Sequence, residues 1–303
     1  MPLIDFHSHF FARPFFDTLA AASPLSGEPE AKLAALSERT GLQVPDADVK
    51  VHRARWIEAM DAADVDHMVT FASLPEEVPT VAQAIAHDDG RLIGMSIANP
   101  AAEGAADKVA ALLDTKGFRG ILCFPAQHHF RIDEERTHAV LKVLNERSAV
   151  CYVHCGLLVV KLKDLLGIPR TVDLTYANPL HLIPAANAFP NVTFVIPHFG
   201  AGMFRETLMA GAQCENIVVD TSSSNGWITT QPDAPTLTDV FARALDVFGP
   251  ERIVFGTDSG PFPAGWRKDR LLEQTKILND LGIDAADQQS IFAGNAARIL
   301  NLG

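Results

Sequence analysis

Cysteine is scarce in this chain: four residues, Cys123, Cys151, Cys155 and Cys214, in a length of 303. Four thiols cannot staple a chain of this size, and Cys151 and Cys155 lack a second pair at zinc-finger spacing. Neither a disulfide framework nor a structural zinc module is expected. Cys151 and Cys155 fall in or at the end of apolar runs, where a thiol acts as a small hydrophobe. Positive charge is short as well. Lys and Arg number 25 against 37 Asp and Glu, a formal net charge of -12, and no concentrated basic run occurs. That balance argues against nucleic acid or an anionic membrane as partner, while a single arginine could still hold an anionic substrate. No apolar run reaches membrane-spanning length, and Met1-Pro2-Leu3-Ile4-Asp5 puts no basic region ahead of an apolar segment. A reduced cytoplasmic setting is the expectation. Low-complexity tracts and internal repeats are missing too. So is a glycine-rich phosphate turn after the first strand, which counts against a doubly wound nucleotide-binding sheet.

What the chain does have is eight short apolar runs, over 3–10, 67–72, 91–98, 117–124, 149–154, 192–198, 217–220 and 252–258. Most are continuous rather than alternating, which is how buried parallel strands read. Helical patterns separate them. Residues 51–63 form a mixed amphipathic repeat around Trp56 and Met60. Asp133 is read as the cap of a helix through Arg147, and 236–248 carries Leu237, Val240, Phe241, Ala244, Leu245 and Phe248 at helical spacing. A closing helical segment is read over 284–300. Eight strands alternating with helices predict a (β/α)8 barrel in one domain over 1–303. Three connections are too long for simple loops: 11–50, 157–178 and 222–235. All leave the C-terminal ends of strands, where barrel enzymes keep their sites. The first, rich in Phe and Pro, is read as a lid whose apolar face needs the barrel rim or another subunit as partner; a homo-oligomer therefore stays open.

The first run, Leu3-Ile4-Asp5-Phe6-His7-Ser8-His9-Phe10, organises the rest. Alternation puts His7 and His9 on one face, about 7 Å apart, with Ile4, Phe6 and Phe10 on the other, under the helices. His154 ends the fifth run, His198 the sixth and Asp258 the eighth, all at the same predicted face. Four histidines and a carboxylate so placed suit one divalent ion, zinc first, with manganese, iron or cobalt as alternatives. His7, His9, His154 and Asp258 can hold it, and its positive charge can activate water. His198 is the candidate for moving a proton or polarising a carbonyl, and Asp258 can act as ligand and proton acceptor together. Arg205, Trp227 and Tyr176 are candidate substrate contacts, and Lys161, Lys163, Arg170, His128, His129 and Arg131 are further cations after strand ends.

These motifs resemble the amidohydrolase superfamily, and most of all its amidohydrolase-2 branch, related to aminocarboxymuconate-semialdehyde decarboxylase. The likeness runs from Asp5-Phe6-His7-Ser8-His9 through Val153-His154-Cys155-Gly156 and Ile196-Pro197-His198-Phe199-Gly200-Ala201-Gly202. It continues in Asn216 to Ser222, Val254-Phe255-Gly256-Thr257-Asp258 and Gly294-Asn295-Ala296-Ala297-Arg298-Ile299. The resemblance implies a distorted barrel with His7, His9, His154 and Asp258 on the metal and His198 as catalytic histidine. Many relatives bridge two metals through a lysine or glutamate on strand three or four. The matching stretch here, Gly120-Ile121-Leu122-Cys123-Phe124-Pro125, offers apolar groups and a thiol, so a single metal is expected. The branch contains hydrolases and non-oxidative decarboxylases. Water attack on the carbonyl of a small lactone, ester or amide is placed first. Decarboxylation of a carboxylated ring or semialdehyde is the alternative, and a non-catalytic metal-binding barrel stands third.

Overall fold

A computed structural model describes residues 2–87, 89–223 and 225–302. Eight parallel strands follow one another around the sheet in chain order: β1 Ile4–His9, β2 His67–Ala72, β3 Leu92–Ala98, β4 Phe118–Cys123, β5 Val150–Val153, β6 Thr193–Ile196, β7 Ile217–Asp220 and β8 Ile253–Val254. The last strand is only two residues long, so β1 and β8 are joined by single contacts. Phe6 N donates to Phe255 O and Asp258 N to His7 O, both at 2.9 Å, and Ser8 bridges to Ser259. The result is a nearly closed (β/α)8 barrel.

Period-two alternation explains the inside. Val69, Phe71, Ile93, Met95, Leu122, Val150, Tyr152, Val195, Val218 and Val254 fill the barrel, and Ala293, Ala296 and Leu300 of the closing helical segment plug its N-terminal end. The opposite strand faces carry Met68, Phe118, Cys151, Phe194 and Ile217 against helix residues such as Trp56, Leu141, Leu144, Phe241 and Phe248. Each large apolar side chain so buried contributes roughly 1.5–3 kcal/mol before the entropy of ordering the chain is charged against it.

The first strand breaks the alternation. Ile4 and Phe6 lie inside the barrel rather than under the helices, while His7 and His9 also face inward and only Phe10 packs outside. The reason is a bulge. Asp5 pairs with Met68 but Ser8 pairs with Thr70, so three steps of β1 match two of β2 and parity flips between Phe6 and His7. Asp5, directed outward, secures the bulge by accepting from His7 N at 3.0 Å, Thr257 N at 3.1 Å and Trp266 Nε1 at 2.8 Å.

Helices Val49–Asp61 and Leu237–Phe248 stand within two residues of the pattern in the sequence, the second opened by a reciprocal Thr236–Asp239 capping box. Asp133 does not cap its helix. It is held by Arg131 instead, and the helix His138–Glu146 starts later, after a 3₁₀ turn over Glu135–Thr137. The long segment after β1 is not a loop but two helices, Arg13–Ala22 and Pro29–Thr40. Its apolar face finds its partner within itself: Phe15, Phe16, Leu19, Ala20, Leu33 and Leu36 form a separate core with Leu166 from the segment after β5. Ser23 Oγ donates to Leu166 O at 2.6 Å, and Gln43 N to Phe262 O, beyond β8, at 2.8 Å. The insertion thus ties together loops that leave β5 and β8 at the C-terminal face. No described helix is long and apolar enough to cross a membrane.

Candidate active site

The bulge that turns His7 inward places its ring against those of His9 and His198, with centroids 5.4 and 4.8 Å away, above a floor of Phe71 and Tyr152. His154, just past β5, has its ring 5.2 Å from that of His198 and 5.4 Å from that of Phe124. Asp258 Oδ1 lies 3.3 Å from His9 Nε2 and 3.6 Å from His7 Nε2. Ligand atoms of His7, His198 and Asp258 all lie within 4.8 Å of one another. The five strand-end residues therefore form one cluster, with His7, His154 and His198 buried and His9 and Asp258 toward the mouth. Phe11, first residue of the insertion, stacks on His9 with ring centroids 4.8 Å apart.

His198 sits in an unusual stretch of backbone. After β6 the chain runs through left-handed conformations at His198, Phe199, Gly200 and Ala201, with φ of 57°, 52°, 87° and 43°. Each non-glycine residue there costs on the order of 1–3 kcal/mol, and such strain persists only where the surroundings impose it. Here they do: Asp220 Oδ1 accepts from His198 N at 2.9 Å, and Leu157 N donates to Ala201 O at 2.8 Å.

The electrostatics favour neutral imidazoles at His9, His154 and His198 beside an ionised carboxylate. Burial pushes His154 down to about 3, with His198 and His7 adding to the effect. Burial also lowers His9 and His198. Burial presses on His7 too, but the charge and hydrogen bond of Asp220 carry it above the ordinary histidine value. Asp258 is held far below the usual carboxylate range: burial would raise it, but His9, His198 and His7 outweigh that. Among the described residues, His7 Nε2 and His154 Nδ1 are buried ring nitrogens without a hydrogen-bond partner. Ligand atoms of His7, His198 and Asp258 gathered in one space, with an unpartnered nitrogen on His154 near by, are the donor types a divalent cation takes.

Three contributors were not assigned roles from the sequence. Asp220 ends β7 and accepts from His7 Nδ1 at 2.7 Å, Ser222 Oγ lies 2.8 Å from His198 Nδ1, and Ser73 Oγ lies 2.7 Å from His9 Nδ1. Asp220 carried the same signal as His154 and His198, a polar residue where an apolar run stops. The serines carried none. The candidate substrate contacts make their interactions away from this cluster. Arg205 is exposed on the helix Phe204–Gln213, Trp227 is buried against Phe204 with its indole N–H on Asn225, and Tyr176 stacks on His129.

Asp5 supplies a pH test of the β1–β8 junction. Burial raises its carboxyl to about 6 against the pull of Thr257 and His7. Because the folded value exceeds the unfolded 3.8, the folded protein binds this proton first as pH falls. Asp5 alone should therefore add stability on acidification through that window, by about 1–3 kcal/mol. Urea unfolding at pH values on either side should show wild type gaining on Asp5→Asn as the medium turns acid. A shrinking difference would mean that its donors keep Asp5 ionised.

A barrel whose chemistry-bearing side chains converge at the C-terminal ends of its strands has the organisation of a barrel enzyme. The amidohydrolase family model matches residues 4–302, and the chain belongs to that family, in its amidohydrolase-2 branch. No curated protein matches the sequence. Among solved structures the chain is similar to 5-carboxyvanillate decarboxylase from Sphingomonas paucimobilis, at 15% identity and TM-score 0.66 over 100% of this chain and 99% of that one. It is also similar to a dihydroxybenzoic acid decarboxylase from Polaromonas sp. JS666 with bound manganese and 2-nitroresorcinol, at 15% identity and TM-score 0.63 over 99% and 97%. A probable 2-pyrone-4,6-dicarboxylic acid hydrolase from Acinetobacter baumannii, with citric acid bound, aligns at 13% identity and TM-score 0.63 over the full length of both.

Proposed function

We propose that this protein is a carboxy-lyase, dependent on one divalent metal ion, that removes carbon dioxide from a small carboxylated ring. This reverses the order suggested by the sequence, where hydrolysis came first. The observation that carries the change is the full-length likeness to decarboxylases of hydroxylated aromatic acids, one of them holding manganese. The site's surroundings agree with it. Phe11, Phe71, Phe124 and Tyr152 pack around the histidines, giving a planar ring apolar walls. A carboxylate drawn into such walls loses hydration that neutral carbon dioxide does not need.

His7, His9, His154 and Asp258 are the proposed ligands, with His198 within reach of the same point. A bound divalent ion supplies Lewis-acid polarisation of the substrate's oxygens. Mixed nitrogen and oxygen donors accept manganese as well as zinc, and the absence of a bridging side chain at Leu122 and Phe124 favours one ion. The insertion over 11–50 is the proposed lid, because Phe11 stacks on His9 and the two helices behind it join the β5 and β8 loops.

Hydrolysis remains the second reading, supported by the hydrolase of a carboxylated pyrone on the same fold. The two share a substrate class, a six-membered ring bearing carboxylate, so one panel separates them. Protein given one equivalent of Mn²⁺ or Zn²⁺ is offered hydroxybenzoates and carboxylated lactones. Release of carbon dioxide from the benzoates, with the lactones intact, is expected. Lactone opening without carbon dioxide would hand the site to hydrolysis, and a need for two equivalents would overturn the single-ion site.

A further inference from the structure

We propose that Ser222 and Asp220 form a positioning pair that fixes His198 in one tautomer, Nδ1 protonated, so that Nε2 presents a free lone pair to the site. The number of protons available at Ser222 requires it. Ser222 Oγ lies 2.5 Å from Asp220 Oδ1, 2.8 Å from His198 Nδ1 and 3.1 Å from His7 Nδ1. A hydroxyl has one proton to give, and an ionised carboxylate can only accept. The proton therefore goes to Asp220, in the short geometry of a charge-assisted bond. If it went to His198 instead, lone pairs of Ser222 and Asp220 would face each other at 2.5 Å. The remaining contacts of Ser222 meet its lone pairs, so each imidazole must bring its own proton on Nδ1.

His7 obeys the same rule independently, because its Nδ1 also donates to Asp220 Oδ2 at 2.7 Å. The carboxylate does more than orient protons. Its Oδ1 takes the backbone N–H groups of His198 and Ser222, each at 2.9 Å. One buried side chain at the end of β7 thus holds the His198 backbone in its left-handed turn and, through Ser222, decides which ring nitrogen is bare. Asp220 and Ser222 are both fully buried, so water does not compete for these bonds.

A consequence follows for the reaction, and it alone rests on the carboxy-lyase reading. His198 enters the cycle as a proton acceptor. Nε2 first takes a proton from a substrate hydroxyl or from solvent. The bond from ring carbon to carboxyl then breaks, its electron pair stays on the ring carbon, and that carbon takes the proton from Nε2 as carbon dioxide leaves.

The tautomer is testable without metal or substrate. Full-length, metal-free protein labelled with ¹⁵N histidine is examined by long-range ¹H–¹⁵N correlation at mildly alkaline pH, with His198 assigned by its loss in His198→Gln. A protonated Nδ1 and an acceptor-type Nε2 are expected for His198 in wild type. In Ser222→Ala the Nδ1–H pattern should be lost to a mixture. Asp220→Asn keeps an acceptor at Oδ1, fixed there by the His198 and Ser222 backbone N–H groups, and turns its NH2 toward His7 Nδ1, so it should leave the His198 tautomer in place and shift His7 toward Nε2–H. A wild-type His198 protonated on Nε2 overturns the proposal, as does an Nδ1–H pattern unchanged in Ser222→Ala. If either variant fails to fold, the wild-type spectrum still decides. Failure of the carbon dioxide assay would leave this result standing.

Discussion

Asp258→Asn is expected to give a folded protein that loses its divalent ion on dialysis and does not turn over. Asp258 is the carboxylate of the cluster, 3.3 Å from His9 Nε2 and 3.6 Å from His7 Nε2. The surrounding imidazoles hold it ionised, so the negative charge that the cluster offers a cation disappears with the substitution. Changes one shell further out already cost metal sites about 10–100-fold in affinity, and removing a charged ligand should exceed that. With the Lewis acid gone, kcat/KM should fall by roughly 10³-fold or more. Asn is the right replacement because Asp258 has φ of 56°, a left-handed conformation that Asn tolerates and most residues do not. Its backbone N–H, bonded to His7 O, is untouched. Metal content after dialysis and a thermal melt are the two measurements. An inactive variant with full metal content would place the ion on the histidines alone. His198→Gln sharpens the division of labour: metal kept with activity lost makes His198 a proton carrier, while metal lost makes it a ligand.

What the sequence disclosed follows from which forces are local. Buried parallel strands read as apolar runs, and all of them lie within a residue or two of where those runs stand except the eighth, which stops four residues early. The sixth ends just before His198 and Phe199 take left-handed backbone, which no strand accommodates. The inward or outward sense of Ile4 and Phe6 was not legible. It turns on one extra residue opposite Val69, secured by an Asp5 carboxylate whose partners Thr257 and Trp266 lie some 250 residues away in the chain. Asp133 looked like a helix cap because its type suits one, but Arg131 two residues earlier claimed its carboxylate. The insertion's partner could not be foreseen either, since Phe15 and Phe16 meet Leu33, Leu36 and Leu166 only after two helices and a distant loop have folded. At the site, strand-end position picked out the five residues of the cluster. The serines that orient two of the imidazoles are common residues in loops, and only the fold gives them meaning.

Gly156→Ala should destabilise the fold strongly, with an expected loss of about 3–5 kcal/mol. Gly156 follows His154 by two residues and has φ of 69°, which by itself penalises a side chain. Its environment adds far more. A Cβ there would lie 2.3 Å from Gly200 O and 2.4 Å from Ala201 O, contacts with backbone rather than with a yielding side-chain tip. Neither strand of this contact can move away cheaply. Gly156 N is bonded to Ala177 O at 3.0 Å, Leu157 N to Ala201 O at 2.8 Å, and Ala201 N to His198 O at 2.9 Å. The absence of a side chain at 156 is therefore what lets the turn after β5 lie on the turn after β6, and with it the His154 ring near that of His198. Gly282→Ala is the control, since Gly282 has φ of 71° but nothing within 4 Å of its Cβ position. It should cost only about 1–2 kcal/mol, the conformational penalty alone. Urea unfolding of both variants measures the difference, and metal content reports whether the cluster has opened. Equal losses in the two would show that the turns part without cost and that Gly156 does not set the spacing of His154 and His198.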